Sequence, residues 1–201
     1  NNYAVNYANG EQIILLNNDI EIITNNWMEE MLMYSQREDV GAVGAKLYYP
    51  NDTIQHAGVI VGIKGVAGHS HQFMPRDTVG YMFRCYVPQD LSAVTAACVM
   101  MKKSVFKEVG GLDEEHFKVA FNDIDLCMKI RKAGYLVVWT PYAEAYHYES
   151  ISRGAEDTSE KQERFRGEVA AFMSKWKKEL DMGDPYYNPN LTLEKEDFSI
   201  K

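Results

Sequence analysis

Three separated points in the chain carry side chains suited to chemistry on a charged or hydroxylated substrate. Asn17, Asn18 and Asp19 follow directly on the aliphatic run of residues 13–16. A carboxylate in that position can hold Mg²⁺ or Mn²⁺, hard cations that take oxygen ligands and bridge to substrate phosphates. The same three residues also suit the turn that leaves a strand, because Asx side chains bond their own backbone. Asp123 opens a helical pattern, where free backbone amides and the dipole favour a carboxylate. It can serve there as a cap, or as a general base that takes a proton from an attacking hydroxyl. His147 stands between Tyr146 and Tyr148 after a strand-like run. It can be an imidazole ligand for a divalent ion or a hydrogen-bonded surface residue. His69 and His71 are spaced for one strand face but bring no third metal ligand, and His56 and His116 carry still less signal.

These residues need a scaffold, and the hydrophobic pattern supplies one. Residues 13–16 read as a buried parallel strand ending at the Asn-Asn-Asp cluster. Residues 24–39 read as a helix with Thr24, Asn25 and Asn26 as cap candidates. A strand over 40–49, a turn over 50–53 and a second strand-like run over 54–63 follow. Residues 64–77, rich in Gly and His, read as a loop. Another buried strand falls within 91–103, in its apolar, β-branched first half, and Ser104 caps a short helix that stops at Gly110 and Gly111. The clearest helix covers 121–135, capped by Asn122 or Asp123 and ended by Gly134. Residues 135–140 form a strand stopped by Pro141, with a further strand over 143–149. A long helix is expected from Glu156 to Asp181, with Phe165, Val169, Phe172, Met173, Trp176 and Leu180 at helical spacing. The last stretch, from Gly183, reads as tail or wrapping coil. Alternating strands and helices define an α/β class with a mainly parallel sheet, and ligands in such sheets collect beyond the strands' carboxyl ends, where Asp19 lies.

Composition narrows the function. Of 201 residues, 46% are hydrophobic and 25% charged, ordinary for a globular chain. The formal charge of -8 argues against a nucleic-acid partner, which is gripped by clustered Lys and Arg. No apolar run reaches the ~18 residues that cross a bilayer, and the opening residues lack the pattern of a secretory signal, so a cytoplasmic location is expected. Cys85, Cys98 and Cys127 are widely spaced in apolar sequence and read as buried thiols. The G-x-G-x-x-G, P-loop and nucleophile-elbow patterns are missing, which sets aside dinucleotide oxidoreductases, P-loop kinases and α/β-hydrolases.

Five stretches in order, "GEQIILLNNDIEI", "VGAVGAKLYYPNDTIQHAGVIVG", "SAVTAACVMMKKSVFKEVGGLDEEHF", "VAFNDIDLCMKIRKAGYLVVWTPYAEAYHYES" and "DPYYNPNL", resemble the later part of a family 2 glycosyltransferase. The resemblance covers nearly the whole chain. It implies a GT-A-like fold with flanking helices, truncated at the N-terminus. It also implies a nucleotide-sugar donor, a saccharide acceptor, Mg²⁺ or Mn²⁺ and inversion at the anomeric carbon, with cell-surface polysaccharide as the product. In this alignment "NND" takes the place of the metal-binding DxD motif, with Asn17 at its first acidic position, Asn18 between and Asp19 at its last. Asn122 and Asp123 take the place of the "ED" pair, so Asp123 falls at the catalytic base. His147 resembles the histidine that completes the metal shell in some members.

Two positions depart from the pattern, since Asn stands for an acid at both Asn17 and Asn122 and lowers the negative charge around the metal. The resemblance places the start of the chain in the helix before the DxD strand, which implies an excised piece with residues 1–155 as the later part of the GT-A domain and 156–201 as a helix and tail packed on it. A sheet cut there exposes a strand edge that favours self-association. Residues 64–81 and the segment containing Gln89, Ser92 and Ala93 are expected to line the acceptor side. The rival reading is a non-catalytic carbohydrate-binding or assembly module on the same scaffold; a nucleotidyltransferase is a third, without the basic glycine-rich loop that triphosphate requires.

Overall fold

Val40–Tyr48 is buried at every position, as a strand at the centre of a sheet must be, and the fold is organised around it. The computed structural model describes residues 1–149 and 158–201. In chain order the elements are α1 (Asn2–Tyr7), β1 (Gln12–Leu16), β2 (Ile20–Ile22), α2 (Trp27–Ser35), β3 (Val40–Tyr48), β4 (Ile54–His56), β5 (Val59–Val61), β6 (Ala67–His69), β7 (Gln89–Asp90), β8 (Cys98–Lys102), α3 (Lys103–Glu108), α4 (Asn122–Lys132), β9 (Leu136–His147), α5 (Ser159–Lys175) and α6 (Lys177–Met182).

The main sheet runs β1-β8-β3-β9-β2, with β4 added on β3 and β7 on β9, while β5 and β6 pair separately. It is a mixed sheet. Its parallel component is the central β3–β9 ladder, and β1–β8, β8–β3, β4–β3, β2–β9 and β7–β9 are antiparallel. β1 is therefore not the buried parallel strand its aliphatic run suggested. It pairs antiparallel at the end of the sheet order, with Ile13 and Leu15 buried and Leu16 exposed.

Several expected boundaries move for identifiable reasons. Pro141 does not end a strand: β9 passes through it, and the break falls in the ladder instead. Gly44 of β3 pairs with Trp139 and Lys46 with Glu144, so the residues around Pro141 bulge out where no amide hydrogen is needed. The run over 54–63 divides into β4 and β5 at Gly58, whose φ of +92° and contact with Leu91 admit no side chain. Within the expected loop over 64–77, β6 pairs with β5 as a hairpin. In 91–103 the strand is the second half, and the first half is buried without regular structure. Lys102, not Ser104, holds the cap position of α3. The long C-terminal helix is two, α5 and α6, divided at Trp176. Its expected start at Glu156, like the boundary at 155/156, lies outside the described residues; among those described, α5 begins after Thr158, whose side chain accepts the Lys161 amide.

One face of the sheet packs on α2, through Met31 against Val43, Leu47, Met100 and Ala145. The other packs on α3 and α4, through Phe106, Leu126 and Ile130 against Val99, Val137 and Trp139. Phe172 and Trp176 pack with Met128 and Phe117 and so bind α5 to α4. The segment after α6 is coil that wraps, burying Tyr187, Leu191 and Phe198 against Ile60 and Ile63. All three cysteines are free and buried. Among the described residues no helix is long and apolar enough to cross a membrane.

Candidate active site

The turn after β1 carries Asn17, half-buried, then exposed Asn18, then half-buried Asp19. It is held from two sides: the Asn17 amide donates to the Ala97 carbonyl (2.9 Å), and the Tyr148 amide donates to the Asp19 carbonyl (2.9 Å). The second bond brings the end of β9 alongside, and with it His147. The His147 Nε2 lies 3.1 Å from Asn17 Nδ2 and 3.2 Å from Asp19 Oδ1.

The far side of that ring sets its protonation. Gln55 directs its amide nitrogen to the His147 carbonyl and to Glu149 Oε2, so its Oε1 is the atom facing His147 Nδ1, at 2.6 Å. In the neutral imidazole Nδ1 therefore carries the hydrogen and Nε2 the lone pair. Nε2 accepts from Asn17, and Asp19 Oδ1 faces it as a second lone-pair atom. That carboxylate oxygen is buried and accepts no hydrogen bond. Among the described residues no group of three or more His, Cys, Asp or Glu is arranged to hold a metal.

Asp123 lies in the first turn of α4. The cap position is neither Asn122 nor Asp123 but Phe121, held at a φ of +63°. Asn122 donates to the Val119 carbonyl (3.0 Å). Asp123 accepts the Ile124 amide at Oδ1 (2.9 Å) and the Ala96 amide at Oδ2 (3.2 Å). Residues 95–97 thus form one wall on which both halves of the site hang: Ala96 orients Asp123, and Ala97 holds Asn17.

Asp123 opens onto a cleft of about 670 Å³ whose walls include Lys64, His69, Phe121, Glu149 and Phe165. Glu149 joins this cleft to the Asp19–His147 pair through Gln55. Behind it, His56 is fully buried and its Nδ1 lies 2.9 Å from His69 Nδ1. Burial pushes the His56 imidazole well below its ordinary value, with His69 and His147 adding to the shift. Burial also lowers His69, against the opposing pull of Asp123, Glu149 and Glu196.

Other expected site residues go elsewhere. Gln89 donates to the Arg84 carbonyl. Ser92 is fully buried, donates to Asp184 (2.7 Å) and accepts from Arg131 (2.9 Å), fastening the C-terminal segment. Ala93 is buried and bridges to Val59. Of residues 64–81, the first part reaches the cleft, while His71 turns away to accept the Tyr81 amide (3.0 Å). His69 and His71 therefore do not share a ligand. His116 is exposed beside Asp113. Sequence reasoning missed Gln55 and Glu149 and gave His56 little weight; the three meet because β4, the β5–β6 hairpin and the end of β9 converge.

No family model matches the chain. It is 54% identical over 200 residues to the uncharacterized protein y4gI of Sinorhizobium fredii, and 38% identical over 202 residues to the O-antigen biosynthesis protein RfbC of Myxococcus xanthus. Over 115 residues it is 30% identical to N-acetylglucosaminyl-diphospho-decaprenol L-rhamnosyltransferase of Mycobacterium tuberculosis, 55% of this chain and 36% of that protein. All of this chain aligns with the first two but spans only 22% and 15% of their lengths. Among solved structures it resembles GalNAc-T7 with UDP, GalNAc and Mn²⁺, at a TM-score of 0.63 and 13% identity over 89% of this chain and 35% of that one. It also resembles the mannosyltransferase PcManGT of Pyrobaculum calidifontis in complex with GDP-Man and Mn²⁺, at a TM-score of 0.54 and 14% identity over 88% and 42%. The fold is the GT-A fold of nucleotide-sugar glycosyltransferases.

Proposed function

We propose that this chain carries the acceptor and metal-binding side of a glycosyltransferase of the family 2 type, which moves a sugar from a nucleotide-sugar donor to a saccharide acceptor with inversion. The observation that carries the reading is the wall at residues 95–97, which ties Asp123 and the Asn17–Asp19 turn to consecutive residues. A base and a diphosphate-anchoring carboxylate tethered to adjacent residues are what this reading needs.

Asp123 takes the proton of an acceptor hydroxyl as that oxygen attacks the anomeric carbon. The carbon's bond to the diphosphate oxygen breaks on the opposite face, and the nucleoside diphosphate leaves with the electron pair. One displacement inverts the carbon. The Ala96 and Ile124 amides fix the carboxylate's direction, so no reorientation is needed at the moment of attack.

A divalent cation fits the residues present. Asp19 Oδ1 is a buried carboxylate oxygen with no donor, facing a ring nitrogen 3.2 Å away; the carboxylate suits Mg²⁺ or Mn²⁺, and the added imidazole favours the transition ion, Mn²⁺. Asp19 and His147 would hold the ion, with diphosphate and water oxygens completing its shell. When bound it supplies Lewis-acid stabilisation of the charge that develops on the leaving diphosphate.

The relatives acting in O-antigen biosynthesis and on a diphospho-decaprenol acceptor support a role in cell-surface polysaccharide synthesis. The test is Asp123→Asn, which keeps an acceptor for the Ala96 amide. Transfer should fall at least ~100-fold with Mn²⁺-dependent UDP binding intact; retained turnover rejects the assignment. The non-catalytic rival rests on the lack of a three-residue metal cluster among the described residues. It predicts that UDP binds no more tightly with Mn²⁺ than without.

A further inference from the structure

We infer that His69 is a fixed neutral hydrogen-bond donor in the cleft, presenting Nε2–H to an oxygen of the saccharide acceptor beside Asp123. The inference rests on the reading of the cleft as the acceptor site, but its structural half follows from hydrogen-bond donors alone.

The Thr95 amide donates to His56 Nε2 (3.3 Å), and a backbone N–H can only donate. His56 Nε2 therefore holds its lone pair, and the hydrogen of this ring is on Nδ1. His56 Nδ1 faces His69 Nδ1 at 2.9 Å, so His69 Nδ1 accepts. The hydrogen of the His69 ring is then on Nε2.

A second proton on His69 would have to sit on Nδ1, directly against the Nδ1–H of His56. His56 cannot yield, because its other nitrogen is already committed to the Thr95 amide. His69 is consequently neither a base nor a metal ligand through Nδ1. It is a rigid N–H donor on a ring that lines the cleft. The groups facing it are His56, His147, Asp123, Glu149 and Glu196. Asp123 and Glu149 share its cleft, so it lies where a sugar hydroxyl approaching Asp123 would pass. A hydroxyl that gives its proton to Asp123 keeps lone pairs to accept from a fixed N–H donor, and His69 thereby selects an acceptor whose neighbouring oxygen can accept. His56 is a positioning residue that acts through His69.

Long-range ¹H–¹⁵N correlation of the imidazoles tests the structural half in the wild-type protein. His69 should show Nε2–H and His56 Nδ1–H, with no change from pH 8 to pH 5. A His69 Nδ1–H, or a titrating His69, overturns the inference. The functional half is read from transfer to saccharide primers. His69→Phe should raise the acceptor KM about 10-fold, the loss of one hydrogen bond, and leave the donor KM unchanged. His69→Gln, which restores an N–H donor, should recover most of that loss. Equal acceptor KM in wild type and His69→Phe overturns it. Asp123→Asn separates the two readings: full transfer in that variant falls on the proposed function, whereas loss of transfer there with an unaltered His69→Phe falls on His69 alone.

Discussion

Asp123 and Asn17, 106 positions apart in the chain, are bound to neighbouring residues: the Ala96 amide donates to Asp123 Oδ2 and the Ala97 carbonyl accepts the Asn17 amide. Asp123→Glu tests how much of the site's action is placement, since it keeps the charge but moves the carboxylate by one methylene. That shift cannot preserve both the Ala96 bond and the position in the cleft. Transfer should fall about 100-fold while thermal stability changes little. Activity within a few-fold of wild type would show that the Ala96 tie does not direct the base.

Asp19 offers a test in which function and stability move in opposite directions. Its Oδ1 is buried, lacks a donor and faces the lone pair on His147 Nε2. Asp19→Asn removes a buried carboxylate oxygen from contact with a lone pair that already accepts from Asn17. The metal-free protein should gain about 1 kcal/mol, visible as a rise of roughly 2–4 °C in Tm. Mn²⁺ affinity in the presence of UDP should fall at least ~10-fold. A lower Tm in the metal-free variant would instead make Asp19 a structural ion-pair partner of His147.

The buried histidines predict an acid-sensitive fold. His71 is 1% exposed and accepts the Tyr81 amide, and burial, reinforced by Arg84 and Lys46, lowers its value to about 4. The unfolded chain takes up this proton near pH 6.5, whereas the native state does so only near 4. Between these values the unfolded state binds more protons, so stability is lost as pH falls through 6.5 and levels off below about 4. His71 alone accounts for about 3 kcal/mol, and His56 and His69 shift in the same direction. Urea midpoints across pH 7 to 4 should decline, and His71→Gln should flatten the slope. A slope unchanged in that variant would remove His71 as its source.

The elements that position the site were legible where local chemistry decided them. The 3.6-residue period gave α4, continuous burial gave β3, and the step from aliphatic run to Asx cluster gave the turn at Asp19. What local pattern could not carry was set by contacts across the chain. Pro141 reads as a stop, yet the bulge opposite Gly44 and Lys46 absorbs it within β9. Ser92 reads as a cleft residue, yet Asp184 and Arg131 draw it to the C-terminal segment. The His56–His69 pair has no signature at all, because it depends on the reversal at Gly58 that folds β5–β6 back on β4. Trp176 fell on the expected helical face but divides the helix, its indole donating to the buried Asp125 (2.9 Å).

Glu168 holds the turn that leads into Asp123 from a distant helix. It lies on α5, only 4% exposed, and its carboxylate accepts the amides of Lys118, Val119 and Ala120, each at 3.0 Å. Those amides belong to the turn that leads through left-handed Phe121 into Asn122 and Asp123. Removing the carboxylate leaves three part-buried amide donors without their acceptor, so Glu168→Ala should cost about 2–3 kcal/mol and let the turn carrying Asp123 relax. Glu168→Gln keeps one oxygen for Lys118 and Val119 but sets an NH₂ against the Ala120 amide, an intermediate loss of about 1 kcal/mol. Chemical denaturation should therefore rank wild type above Gln above Ala. Amide hydrogen exchange at residues 118–120 should accelerate in the same order. If both variants unfold with the wild-type midpoint, the amides do not depend on Glu168, and α5 does not position the base.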